Sequence, residues 1–146
     1  MITWVFVDVD GTLVDQKDNV RPDVEGLFRY LNRSGCVIVV WSAGGAGYAE
    51  QKIGMIGRKL NVDLNPMIGA YMWKADSRSV CAQSRFYIDD SEGLIEAMDL
   101  AGYGTFLVPF YDPSIENDEW LFEAAHAVEK FIDARIGEAT PSDNGN

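Results

Sequence analysis

The chain has 146 residues, of which 47% are hydrophobic and 24% are charged, and its formal net charge is −11. These values are typical of a globular protein, and the length suits one domain rather than two. The acidic excess disfavours non-specific binding to nucleic acid or to an anionic membrane, because both favour basic surfaces. No apolar run approaches the roughly 20 residues that a membrane span requires, so we expect no membrane partner.

The two cysteines and the two ends of the chain predict the redox state, the first strand and a disordered tail. Cys36 and Cys81 form no CxxC pair, and we expect two reduced thiols in a cytoplasmic protein. The opening MITWVFVDVDG lacks the basic region and cleavage site of a signal peptide, so we interpret it as a buried strand. Residues 137–146 are small and polar and predict a disordered tail. Residues 1–136 are then a single domain.

Strand and helix patterns alternate along this domain. Residues 2–9 (ITWVFVDV) form a near-continuous apolar run rich in β-branched residues, which is typical of a strand buried on both faces. Pro22 and the acidic residues after it predict a helix start, and Gly35 predicts its end. The later elements are a strand over 36–41, a helix within 44–60, strands over 67–73 and 84–90, a helix over 91–102, a strand over 105–111, and an amphipathic helix from about 117 to 136.

The alternation predicts a three-layer α/β sandwich with a mostly parallel, five-stranded, Rossmann-like sheet. Such sheets bind ligands beyond the carboxyl ends of their strands. Polar residues end three of the apolar runs: Asp8 and Asp10 the first, Ser42 the second, Asp89 and Asp90 the fourth. Clustered carboxylates repel one another unless a cation or a proton intervenes, and oxygen ligands of this kind suit Mg²⁺. We therefore expect these aspartates to hold a Mg²⁺ ion beyond the strand ends.

These segments resemble the four motifs of the haloacid dehalogenase (HAD) superfamily of hydrolases. The run DVDGTLVD over residues 8–15 is similar to the first motif, DxDGT[LV]. The strand VIVVWS, which ends at Ser42, resembles the second motif. The strand FYIDD, which ends at Asp89 and Asp90, resembles the fourth. The third motif is a lone lysine, for which Lys74 has the right position, and all four follow the family's order.

The resemblance implies a Mg²⁺-dependent phosphate-monoester hydrolase that acts through an aspartyl phosphate. Asp8 would be the nucleophile, and Asp10 would be the general acid and base. The implied metal ligands are the carboxylates of Asp8 and Asp89 and the backbone carbonyl of Asp10. The implied phosphate ligands are Ser42, the backbone N–H of Ala43, and Lys74, and the supporting residues are Asp90, Gly11 and Thr12.

Two of these assignments rest on weaker patterns. Lys52 and Lys59 in the preceding helix are alternatives to Lys74 for the lysine. Arg21, just before the first predicted helix, is either solvent-exposed or in contact with the non-reacting part of the substrate. The aromatic residues near the strand ends are expected to be mostly core, with one or two free to stack on a ring; they are Trp41, Tyr48, Tyr71 and Trp73.

Many HAD proteins carry a cap domain, inserted after the first motif or between the second and third. Here the segments from Asp10 to Pro22 and from Ser42 to Lys74 are too short to hold one, so the chain resembles a small capless member. An open site suits a large phosphorylated substrate, such as a protein or a glycan. A polynucleotide end is disfavoured by the acidic charge. Alternatively, a second subunit of a homo-oligomer covers the site and permits a small substrate.

Three competing functions use similar residues. A phospho-receiver domain also combines clustered aspartates, a hydroxyl, a lysine and Mg²⁺, but in a different order along the chain. A phosphotransferase or phosphomutase shares the first chemical steps and is separated poorly by sequence. A non-catalytic module of the same fold would bind a phosphorylated ligand without turning it over.

Overall fold

Five parallel strands form one sheet in this computed structural model, which describes residues 1–139 without the side chains of 77–79, 138 and 139. The predicted tail mostly lies outside the described residues. The strands are β1 (Thr3–Asp8), β2 (Val37–Ser42), β3 (Ala70–Trp73), β4 (Ser84–Asp89) and β5 (Gly104–Leu107), and they lie in the order β3-β2-β1-β4-β5. The helices are α1 (Val24–Arg33), α2 (Ala46–Leu60), α3 (Glu92–Leu100) and α4 (Trp120–Ala139).

The strand order explains where the polar residues meet. The central strand β1 lies between β2 and β4, and Phe6 pairs with Val39 on one side and Tyr87 on the other. Asp8 pairs with Trp41, the residue before Ser42. The three strands that end in polar side chains are therefore neighbours, and their carboxyl ends share one edge of the sheet. The prediction of a parallel α/β sheet is confirmed.

The sheet is covered on both faces. On one face, β1 residues such as Val5 and Val7 pack with apolar residues of α1, α2 and α4, among them Phe28 and Ile53. On the other face, Phe6 stacks on Tyr87 with ring centroids 4.7 Å apart, and Trp41 lies 5.3 Å from both rings. Burial on both faces is why β1, β2 and β4 are continuous apolar runs.

Several element boundaries differ from the predicted ones, each for a local reason. Helix α1 begins at Val24 rather than Pro22 because Asp23 has a left-handed backbone, with φ of 72°. Strand β3 begins at Ala70 because a 3-10 helix occupies Asn65–Met67. Strand β5 ends at Leu107, two residues before Pro109, which has no N–H to donate to a ladder. Helix α4 ends at Ala139 rather than at residue 136.

No separate domain is inserted in the described part of the chain. Between β1 and α1 lies a loop in which Val14 bridges to Asp10 and to Val20. Between β2 and Lys74 lie only α2, one 3-10 turn and β3. Across residues 1–139, no helix combines the length and apolar character needed to cross a bilayer.

Arg21 is buried, with 2% of its surface exposed, and it ties the loop after β1 to the start of α4. Its Nε donates to Asp118 Oδ2 at 2.9 Å, and its Nη1 donates to the carbonyls of Gly11 and Thr12 at 3.2 Å. The guanidinium carbon lies 5.3 Å from the centroid of the Tyr111 ring. The two expectations for Arg21, exposure to solvent or contact with substrate, are therefore wrong.

We predict that Arg21→Met lowers the free energy of unfolding by about 3–5 kcal/mol, because it leaves the carboxylate of Asp118 buried without its partner. Arg29 is the matched control, since it pairs with Glu25 on the exposed face of α1 at 2.7 Å. Arg29→Met should cost no more than about 0.5 kcal/mol. Urea denaturation of both variants measures the difference, and equal losses would contradict a structural role for Arg21.

Candidate active site

The loop after β1 turns sharply back toward the end of its own strand. The N–H groups of Thr12 and Leu13 both donate to the carbonyl of Val9, at 3.3 and 2.9 Å. Gly11 has φ of +83°, a conformation that residues with a Cβ rarely adopt. A Cβ at this position would also lie 2.4 Å from Asp90 Oδ2 and 2.5 Å from the Phe110 ring. The turn therefore requires glycine for its backbone and for the space around it.

The carboxylate of Asp8 is buried and both of its oxygens are engaged. The Lys74 ammonium lies 3.0 Å from Asp8 Oδ1, and the Thr12 hydroxyl donates to Asp8 Oδ2 at 3.0 Å. The same ammonium lies 2.8 Å from Asp89 Oδ2, and Asp89 is fully buried. The Ser91 N–H donates to the other oxygen of Asp89 at 3.0 Å. Lys74 thus stands between two buried carboxylates from neighbouring strands.

One lysine does not balance the negative charge at this point. Burial, the charge of Asp89 and a hydrogen bond with Asp90 together raise the pKa of Asp8 to about 8, although Lys74 opposes them. Burial also raises the pKa of Asp89. The Lys74 pKa is raised despite its own burial, because Asp8 and Asp89 favour its charged form. The site therefore favours a further positive charge beside Asp8.

Three carboxylates converge closely enough to hold one cation. Asp8, Asp89 and Asp90 each offer an oxygen, and these oxygens lie within 4.8 Å of one another. Asp90 also lies beside Thr12, whose hydroxyl is 3.5 Å from Asp90 Oδ1. An all-oxygen set of this kind fits a hard divalent ion such as Mg²⁺.

The segment after β2 forms a second side of the site. The Gly44 N–H donates to Ser42 Oγ at 2.9 Å, which leaves the hydroxyl proton of Ser42 available to another acceptor. The Trp73 indole N–H donates to the carbonyl of Ala43 at 3.2 Å. Lys74 follows Trp73 directly and lies 5.3 Å from the centroid of the Trp41 ring. Strand β3 therefore ends in the residue that anchors the Ser42 loop, and the lysine beside Asp8 follows it directly.

Asp10 has surroundings opposite to those of Asp8. It is exposed, and its Oδ1 accepts a hydrogen bond from the Tyr48 hydroxyl at 3.0 Å. Tyr48 lies in the first turn of α2, which begins just after the Ser42 loop. Two carboxylates two residues apart are thus placed in a dry and a wet environment.

Comparison with known proteins finds a likeness to solved structures. No protein-family model matches the chain, and no curated protein does. The chain is similar to the NMR structure of the core domain of a proposed phosphoglycolate phosphatase from Streptococcus pneumoniae TIGR4, with 15% identity and a TM-score of 0.51. The match covers 88% of this chain and 96% of that one. This likeness confirms the α/β fold with a Rossmann-like parallel sheet.

The structure brings together most of the residues that the motifs predicted. Asp8, Thr12, Lys74, Asp89 and Asp90 form one cluster, with Gly11 packed against it. Lys52 and Lys59, the alternatives to Lys74, instead contact the loop residue Asp18. Ser42 and Ala43 lie at the end of β2, and Asp10 lies on the exposed side.

Of the four aromatic residues expected to be mostly core, the sequence did not show which would lie outside it. Trp41 is buried, whereas Trp73 is 48% exposed and Tyr48 is half-buried, and the latter two bond to residues of the candidate site. Their partners, Ala43 and Asp10, lie 30 and 38 residues away along the chain. No local pattern signals such contacts; only the convergence of strand ends at one sheet edge hints at them.

We predict that Gly11→Ala destabilises the protein much more than Gly35→Ala. Both glycines have positive φ, +83° and +76°, but a Cβ at Gly35 would meet nothing within 4 Å. Gly35→Ala should cost only the left-handed backbone penalty of about 1–2 kcal/mol. Gly11→Ala should cost about 1–3 kcal/mol more, because Asp90 and Phe110 must move. Chemical denaturation measures both, and similar losses would show that the space around Gly11 is not constrained.

Proposed function

We propose that this protein is a Mg²⁺-dependent phosphatase of the HAD type that hydrolyses phosphate monoesters through an aspartyl phosphate on Asp8. The observation that carries the proposal is the position of Asp8. It is a buried carboxylate held by Lys74 and Thr12, with Asp89 and Asp90 close enough to share a cation. The fold shared with a proposed phosphatase supports it.

The residues fit a magnesium ion. The raised pKa of Asp8 reports a carboxylate that burial and Asp89 make costly to ionise, and a divalent ion would offset that cost. We assign the metal ligands to the carboxylates of Asp8 and Asp89 and the backbone carbonyl of Asp10, with Asp90 as a supporting acid. When bound, the ion would screen repulsion between the nucleophile and the phosphate.

The first step transfers the phosphoryl group to the enzyme. An oxygen of Asp8 forms a bond to phosphorus while the bond from phosphorus to the ester oxygen breaks and leaves its electron pair on that oxygen. Asp10, in its protonated form, gives the departing alkoxide a proton. Ser42, the Ala43 N–H and Lys74 donate hydrogen bonds to the phosphoryl oxygens, which are most negative as the bond breaks.

The second step restores the enzyme. Asp10, now a carboxylate, takes a proton from a water molecule whose oxygen attacks phosphorus. The bond from phosphorus to Asp8 breaks and returns the electron pair to the carboxylate, which releases inorganic phosphate. Lys74 and the Thr12 hydroxyl again contact the two oxygens of Asp8, as they do in the structure.

The substrate class follows from what surrounds the site. Asp10 and Ala43 are exposed, so the side from which the leaving group departs is open to solvent. We propose that the protein acts as a capless phosphatase on phosphorylated groups carried by large molecules, such as proteins or glycans. A site open on that side does not need to enclose the rest of the substrate.

We predict that Mg²⁺ stabilises the folded protein through Asp89. At a hundred times its dissociation constant, a ligand that binds only the folded state adds about 2.7 kcal/mol to the free energy of unfolding. Thermal unfolding in chelator and in Mg²⁺ should show this gain for the wild type and for Asp99→Asn, a change at an exposed position of α3. Asp89→Asn should lose most of it. A wild-type response in Asp89→Asn would remove Asp89 from the metal site.

We predict that Asp8→Asn abolishes phosphatase activity without unfolding the protein. The amide keeps the shape of the carboxylate but cannot attack phosphorus. Burial is the main reason that the pKa of Asp8 is raised to about 8, which means that the folded protein disfavours a charged carboxylate at this position. The amide is neutral, so the stability of the metal-free protein near neutral pH should not fall. Release of phosphate from p-nitrophenyl phosphate is measured on protein shown by mass spectrometry to be free of reverted aspartate. Turnover near the wild-type rate would exclude Asp8 as the nucleophile.

A further inference from the structure

Tyr48 lies outside every motif that the proposed function uses, yet it touches the proposed acid and base. Its hydroxyl donates to Asp10 Oδ1 at 3.0 Å. Its ring packs against the loop after β2, so closely that a Cβ at Gly44 would lie 3.0 Å from two ring atoms. Among the described side chains, Tyr48 supplies the one side-chain hydrogen bond that Asp10 makes.

The same face of α2 also holds the far end of the loop that carries Asp10. One turn beyond Tyr48, the Lys52 ammonium lies 5.4 Å from the centroid of the Tyr48 ring and pairs with the Asp18 carboxylate. The Lys59 ammonium donates to the backbone carbonyl of Asp18 at 2.6 Å. Asp18 has φ of 62°, so a left-handed residue forms this contact point. Helix α2 therefore contacts the loop at both Asp10 and Asp18.

We propose, on the basis of the phosphatase function above, that Tyr48 is a positioning residue for Asp10. An exposed aspartate samples several side-chain rotamers, and proton transfer requires one of them within hydrogen-bonding reach of the leaving oxygen. The Tyr48 hydroxyl holds Oδ1 and directs Oδ2 toward the ester oxygen and, later, toward the attacking water. Lys52 and Asp18 support this arrangement by fixing the loop against α2.

Two other roles would give different kinetics. If Tyr48 bound the phosphoryl group itself, its loss would affect all phosphate esters alike. If it only packed against Gly44, removal of the hydroxyl alone would change nothing, because Phe keeps the ring. A role through Asp10 must instead depend on how much the leaving group needs a proton.

The test is Tyr48→Phe, assayed with 2-glycerol phosphate and with p-nitrophenyl phosphate in Mg²⁺. The ratio kcat/KM reports only the steps up to cleavage of the ester bond, so hydrolysis of the intermediate does not enter it. We expect kcat/KM to fall about 10-fold for the alkyl ester and less than about 3-fold for the aryl ester, whose leaving group needs little protonation. Tyr71→Phe is the matched control, since the Tyr71 hydroxyl bonds to Asn65 away from this cluster.

A double-mutant cycle separates positioning from a structural effect. With the alkyl ester, Tyr48→Phe should cause no further loss in an Asp10→Asn background, because the group that it positions is already gone. Losses that multiply, equal losses for the two esters, or no loss at all would each overturn the role of Tyr48. A wild type that hydrolyses neither ester, or an Asp10→Asn variant with full activity on both, would instead refute the proposed function.

Discussion

The Lys74 ammonium between Asp8 and Asp89 is the contact on which the rest of the site depends. Parallel pairing places β1 beside β4, so their two terminal carboxylates are forced into one dry space. Two buried like charges are costly unless a positive group lies between them. Lys74 provides one, yet the pKa of Asp8 is still raised to about 8. The buried carboxylates that cost folding free energy are therefore also the groups that favour binding of a cation.

Contacts on two sides of the loop after β1 keep this arrangement in place. On one side, Arg21 donates to the carbonyls of Gly11 and Thr12, and through Asp118 it joins the loop to the start of α4. On the other side, Gly11 passes so close to Asp90 that any side chain at position 11 would displace the Asp90 carboxylate. Because Thr12 donates to Asp8, a shift in this turn would reach the proposed nucleophile directly. The loop is therefore positioned by core contacts on one side and by the acids on the other.

The parts of the fold that were predictable are those that bury both faces of a strand. Strands β1, β2 and β4 lie in the middle of the sheet, so each is an uninterrupted apolar run and its polar end is visible in the sequence. The edge strands β3 and β5 are short and only half-buried, and their boundaries were missed. Arg21 was misplaced for another reason: a buried arginine is recognisable only from its partner Asp118, 97 residues away.

For the same reason, the acids of the candidate site were predictable from the sequence, whereas the residues that contact them were not. A carboxylate directly after a buried strand is visible in the sequence, because the strand fixes where it lies. Tyr48 and Trp73 bond across the ends of different elements, and nothing in their own segments marks them.

Asp8 and Asp10 differ in their environments, and this difference is visible only in the structure. The sequence places both acids at the end of the first strand, two residues apart, but only the structure shows that one is 5% exposed and the other open to solvent. Since the environment of a carboxylate sets its chemistry, this contrast supports a buried nucleophile beside an exposed acid and base.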